Sequence, residues 1–157
     1  MKLALVILSL LALAFAGACG SDDGDNDSPT VSIDTTQIVV GEQGEAVLTV
    51  LSFDSPGLGA WTVDIQYDNS VVSVVECEPL PEGNVCNAAF TGDTVRFVGA
   101  TGTGLEGDTE IGRITFQCDV AGESKLDIII DLLADGTLGE PQIVVPNIEN
   151  GAIICAE

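Results

Sequence analysis

The sequence contains no histidine. That removes imidazole general bases, His-containing catalytic triads and the commonest protein metal ligand. Cations are almost as scarce: four Lys and Arg stand against 25 Asp and Glu, for a formal charge of −21. Nucleic acids and anionic lipid headgroups both need a basic footprint, so neither is a partner for this surface. Aromatic residues make up only 4%, with one tryptophan and one tyrosine, too few for an extended flat platform. No segment carries a sustained helical stripe of apolar residues, which argues against a helical fold.

What is present starts with an export signal. Lys2 precedes the apolar run Leu3 to Phe15, and Ala16-Gly17-Ala18 supplies small residues at a cleavage site. The run is too short to be a convincing membrane span. Residues 1–18 are therefore read as a signal peptide. Cys19 follows immediately, and the junction resembles a bacterial lipobox, with Ala16 where leucine is usual. In such a site the cysteine is acylated and becomes the new N-terminus. Ala-x-Ala also suits ordinary signal peptidase, which would give a freely secreted protein. Cysteine arithmetic favours the lipoprotein, because five is an odd number and lipidating Cys19 leaves four for disulfides. After processing, Arg96, Arg113 and Lys125 face 25 acids, a charge of −22. Such a chain is soluble, repels like-charged partners and meets the membrane only through its anchor.

Residues 19–29 form an acidic tether able to span on the order of 35 Å when extended. Asp23, Asp25 and Asp27 alternate like the start of an EF-hand loop, but Ser28 stands where the turn glycine is needed. Asp34 replaces the closing glutamate, and no flanking helix is evident. The tether is accordingly not read as a calcium site.

Residues 30–157 form one domain of short strands divided by Gly, Pro, Asn and Asp. Nine strands are expected: the first around Val31 and Ile33, the second over Glu45–Phe53, apolar on both faces, and the third within Gly57–Asn69. Val71–Cys77, Asn87–Phe90, Thr94–Ala100, Ile111–Val120, Leu126–Leu133 and Gly151–Cys155 follow. In the third, Trp61, Val63, Ile65 and Tyr67 alternate with Thr62, Asp64 and Gln66, the pattern of one buried and one wet face. Trp61 thereby falls on the core side rather than serving as a sugar-stacking platform. Phe53, Phe90, Phe97 and Phe116 are read as strand-interior. In the eighth, Leu126, Ile128, Ile130 and Leu132 alternate against Asp127 and Asp131. The pattern is that of an all-β sandwich or barrel.

Cys77, Cys86, Cys118 and Cys155 allow three pairings. The local pair Cys77–Cys86 is favoured, because the Pro-rich turn between them brings its ends together, which leaves Cys118 with Cys155. A metal site is not expected, since the cysteines lack C-x-x-C spacing and an exported chain favours oxidation. Gly102-Thr103-Gly104-Leu105-Glu106-Gly107 matches a dinucleotide fingerprint, but a strand follows where a helix is required, and Glu106, Asp108 and Glu110 would repel phosphate. No serine sits beside a base, and with 25 acids a chance carboxylate pair carries no information. No catalytic residue and no cofactor is expected.

Three stretches, with a fourth at the C-terminus, carry a resemblance to a known family. They are Val39-Val40-Gly41-Glu42, then Gly59-Ala60-Trp61-Thr62-Val63-Asp64-Ile65-Gln66-Tyr67-Asp68 with Val71-Val72, then Ile111-Gly112-Arg113-Ile114-Thr115-Phe116, and the terminal Asn150-Gly151-Ala152-Ile153-Ile154. In this order they resemble the cohesin domains, within the wider cohesin and carbohydrate-binding-module sandwich group. The resemblance implies a nine-stranded jelly-roll β-sandwich, one sheet of which holds the eighth, third, sixth and fifth strands. It also implies that the outer face of that sheet receives a dockerin-like extracellular protein. By alternation the outward residues are Thr62, Asp64 and Gln66, then Thr94 and Arg96, then Asp127 and Asp131. The alternative implied is a module for polysaccharide binding, adhesion or polysaccharide catabolism.

Overall fold

The computed structural model describes residues 28–157. The expected signal peptide, the expected lipidation site Cys19 and most of the tether, including Asp23, Asp25 and Asp27, lie outside the described residues. Within them the chain forms only strands: β1 (Thr30–Ile33), β2 (Thr35–Val39), β3 (Gln43–Gln66), β4 (Val72–Pro79), β5 (Val85–Thr91), β6 (Thr94–Cys118), β7 (Gly122–Asp135), β8 (Asn147–Glu149) and β9 (Gly151–Ala156).

There are nine strands, as expected, but not the same nine. The expected second and third strands are one continuous β3, and the expected sixth and seventh are one continuous β6. The two long strands pair antiparallel from Gln43 to Gln66, with register shifts between Leu48 and Ala60 and a gap in the register between Phe53 and Leu58. Ser55-Pro56-Gly57 and the Gly102–Gly107 stretch, which read as strand breaks, are bends inside that ladder. The would-be dinucleotide loop is therefore part of β6. Two short strands, β2 and β8, fall in stretches too short and too polar to show alternation.

Because β3 and β6 bend, each contributes to both sheets. Leu58–Gln66 of β3 and Thr94–Ala100 of β6 form one sheet in the order β7–β3–β6–β5. This is the expected order of eighth, third, sixth and fifth strands. The other halves form β8–β1–β3–β6–β4. A third ladder joins the N-terminal part of β7 to β9, and β9 to β2 in parallel. The result is a β-sandwich with a single core.

The core holds Trp61, Val63 and Ile65 of β3, Phe97, Ile114 and Phe116 of β6, Leu126 and Leu133 of β7, and Ile153 of β9. Fully burying side chains of this size contributes roughly 1.5–3 kcal/mol each. Ala46, Leu48 and Val50 also point inward, whereas Val47, Thr49 and Leu51 of the same strand are half-exposed. That stretch is apolar on both faces in sequence but interior on one only. Tyr67 is half-buried at the rim and meets Phe116 edge-on, with centroids 5.6 Å apart.

Both disulfides take the expected pairing, Cys77–Cys86 and Cys118–Cys155, with Cα atoms 6.0 and 5.6 Å apart. The first ties β4 to β5, which are the edges of different sheets. The second ties β6 to β9.

Candidate partner-binding face

The outer face of the β7–β3–β6–β5 sheet is organised around Arg96. The register places Arg96 on β6 opposite Asp64 on β3 and Asn87 on β5. Arg96 Nε donates to Asp64 Oδ1 and Nη2 to Asp64 Oδ2, each at 2.6 Å. Nη2 also donates to Asp131 on β7. The guanidinium carbon lies 3.8 Å above the ring of Phe90 on β5. One cation therefore links all four strands by a bidentate carboxylate pair, a second carboxylate and a cation–π contact. The hydrogen bond to Asp64 raises the Arg96 guanidinium further above its ordinary value, so its charge is permanent.

The seven residues predicted for this face do share it, but at different depths. Asp64 is only 7% exposed and Thr94 only 4%. Asp64 lies under the Arg96 fork, and Thr94 Oγ1 donates to Asp93 Oδ1 at 3.2 Å. Thr62 and Arg96 are half-buried. Gln66, Asp127 and Asp131 are the freely reachable members, and Asn150 Nδ2 donates to Asp127 Oδ1 at 3.0 Å.

Alternation along β7 breaks at Asp131. Thr62 pairs with Leu132 but Val63 pairs with Ile130, so Asp131 is an extra residue in a β-bulge. The bulge flips the parity beyond it: Leu133 enters the core, while Leu132, predicted inward, turns to the outer face. Ile129 is also outward and exposed. Phe90, read as strand-interior, is exposed as well. With Val85 and Val98, both exposed, these residues give the face an apolar component that the sequence reading missed. The run Ile128-Ile129-Ile130-Asp131-Leu132-Leu133 has apolar residues at both parities, so no sequence signal located the bulge.

Beside this face, Gln66, Tyr67, Asp93, Glu123, Lys125 and Asp127 line an open polar cleft. Burial, and then the nearby Asp93, raises the Tyr67 hydroxyl above its ordinary value, so it stays protonated at neutral pH. Trp61 is buried as expected, and its indole Nε1 has no hydrogen-bond partner among the described residues.

This sandwich, with its bent, shared central strands, is the cohesin fold. The structure superimposes on the seventh ScaB type I cohesin from Pseudobacteroides cellulosolvens with a TM-score of 0.74 and 16% identity, covering 82% of this chain and 92% of that one. A non-cellulosomal cohesin from Archaeoglobus fulgidus gives 0.71 and 16%, covering 83% and 92%. The OlpA cohesin, solved in a type I cohesin–dockerin complex from Clostridium thermocellum, gives 0.71 and 17%, covering 83% and 100%. No protein-family model and no curated protein sequence matches the chain. The likeness is one of fold.

Proposed function

We propose that this chain is a non-enzymatic, exported binding module that docks an extracellular, dockerin-like protein on the outer face of its β7–β3–β6–β5 sheet. The lipid on Cys19 holds it at the cell surface. The observation that carries the reading is the Arg96 network. It fixes four strands into one rigid face before any partner arrives, and preorganised surfaces lose less entropy on binding. Exposed Val98, Ile129 and Phe90 beside reachable Gln66 and Asp127 give that face the mixed apolar and polar make-up of a protein interface. Cohesins of this fold have been solved in complex with dockerins. With the chain at −22 after processing, the partner carries no strong negative charge on its docking surface.

Polysaccharide binding is the weaker reading, for a specific reason. Trp61 is in the core, and one face of Phe90 is covered by Arg96, which leaves a single half-covered ring in place of a stacking platform.

The test uses the full chain, expressed with its leader and purified in detergent, against a panel of type I dockerins. Binding of at least one dockerin is expected, together with its loss in Gln66→Lys/Asp127→Lys and its retention in Thr115→Lys, on the other sheet. No dockerin bound, or equal binding by all three proteins, would sink the face assignment. Saturable binding on a glycan array would favour the polysaccharide reading instead.

A further inference from the structure

A strip of apolar side chains lies where the described chain begins. Asp135 N donates to Gln142 O at 2.9 Å and Val144 N to Leu133 O at 2.8 Å, so residues 142–144 run along the end of β7. The chain then crosses to β1. Asn147 N donates to Pro29 O at 2.9 Å, and its side-chain amide donates to Ser28 O at 3.3 Å. β8 runs parallel to β1, with Thr30 opposite Asn147. Both strands therefore start at the same end, and Ser28, where the described chain begins, lies next to the segment leaving Val145.

Along this crossing, Val144 packs against the core while Ile143 and Val145 turn outward, 68% and 80% exposed. Leu138 before them is 86% exposed and Ile148 after them 47%. Single exposed apolar residues need no explanation, but four large ones within one short ribbon do. The ribbon is also nearly free of charge. Glu140 is the only ionisable residue from Thr137 to Ile148, in a chain with 25 acids.

We propose that Leu138, Ile143, Val145 and Ile148 rest on the zwitterionic surface of the bilayer that holds the Cys19 lipid. The inference rests on the anchoring reading above but departs from the expectation that the anchor is the only membrane contact, and it adds an orientation: the domain leans on the membrane along its β7–β8 side. Two observations choose a bilayer over other occupants. The tether from Cys19 to Ser28 reaches on the order of 30 Å at most. Its end point, Ser28, lies beside Asn147 at the strip, so this side of the domain is the one held nearest the membrane. A second copy of the chain is disfavoured because each carries a formal charge of −22.

The test is made on the full lipidated chain in phosphatidylcholine vesicles containing a nitroxide-labelled lipid. Ile143→Trp reports on the strip. Val75→Trp, on the exposed β4 bulge at the opposite edge of its sheet from β8, is the control. Native Trp61 is 1% exposed in the core and gives a constant background. Lipid on Cys19 is verified by mass. The expected result is loss of the added emission at position 143 and none at 75. No quenching at either position in a chain of correct lipidated mass overturns the inference and leaves the anchor intact. Equal quenching at both positions also overturns it. Concentration-dependent shielding of Trp at 143 without lipid quenching assigns the strip to a second copy and overturns it. A Cys19 without lipid refutes the anchoring reading, and the inference falls with it.

Discussion

Trp61 and Gly99 sit directly opposite each other on β3 and β6, and the six-membered ring of the indole fills the space a side chain at position 99 would need. An added Cβ would overlap ring carbons of Trp61 that cannot move within a packed core. Gly99→Ala is therefore expected to destabilise by about 1–3 kcal/mol, the usual cost of overpacking. Trp61→Phe leaves room at this point and gives up no hydrogen bond to the described residues. The double variant is expected to be more stable than the two single effects would sum to, a coupling that a denaturation cycle measures.

The Arg96 network predicts a second coupling. Asp64→Ala leaves the guanidinium with Asp131 and the Phe90 ring alone, and it weakens the link between β3 and β6. The expected outcome is lower thermal stability and faster amide exchange in β5, whose contact with Arg96 is then less well fixed. Asp131→Ala removes the more exposed carboxylate and is expected to do less. Equal effects of the two substitutions would contradict the role given to the bidentate pair.

Much of the fold was legible because period-two alternation is strong where one sheet face is buried. Trp61, Val63 and Ile65 against Thr62 and Gln66 located the central strand and its orientation. The four strands of the candidate sheet were legible through the resemblance. Continuity was not, because glycine and proline signal a bend without saying whether pairing resumes beyond it. Ser55-Pro56-Gly57 and Gly102–Gly107 are bends across which β3 and β6 remain paired. The site was half legible. Asp64 and Arg96 were placed on one face, but their burial depends on a contact between residues 32 positions apart and on the Phe90 ring, which alternation did not place on that face. The outward turn of Leu132 depends on a bulge that exists only in the β3–β7 register.

The two disulfides are expected to differ in weight. In the chain-entropy account, closing the 37-residue separation between Cys118 and Cys155 contributes about 4 kcal/mol, and the 9-residue separation between Cys77 and Cys86 about 2.5 kcal/mol. Cys118 and Cys155 are buried, whereas Cys77 and Cys86 are partly accessible. Urea denaturation of the paired Cys→Ser variants is expected to show the larger loss for Cys118→Ser/Cys155→Ser. Mild reductant is expected to open Cys77–Cys86 first.

Asp135 latches the loop that follows β7. Its carboxylate accepts from Gln142 N at 2.9 Å, from Thr137 N at 3.1 Å and from Thr137 Oγ1 at 3.1 Å. The backbone hydrogen bond from Gln142, followed by that from Thr137, holds the carboxyl below the usual carboxylate range. A lowered folded-state value means that the stabilisation is fully present above the unfolded value of about 3.9 and is lost as pH falls through the folded value. Protection of the amides in residues 136–142, measured against their intrinsic exchange rates, is therefore expected to fall on acidification below about pH 4. Asp135→Asn is expected to show faster exchange there already at neutral pH, and a weaker pH response.

The central claim is that a protein partner lands on the β7–β3–β6–β5 face, and site-specific photocrosslinking tests it most directly. A photoreactive residue is placed at Gln66, on that face, or at Thr115, on the outer face of the other sheet. The full chain is then exposed to the dockerin that binds it best. Crosslinks from position 66 and none from position 115 are expected. Crosslinks from 115 and none from 66 would place the partner on the opposite sheet and contradict the account.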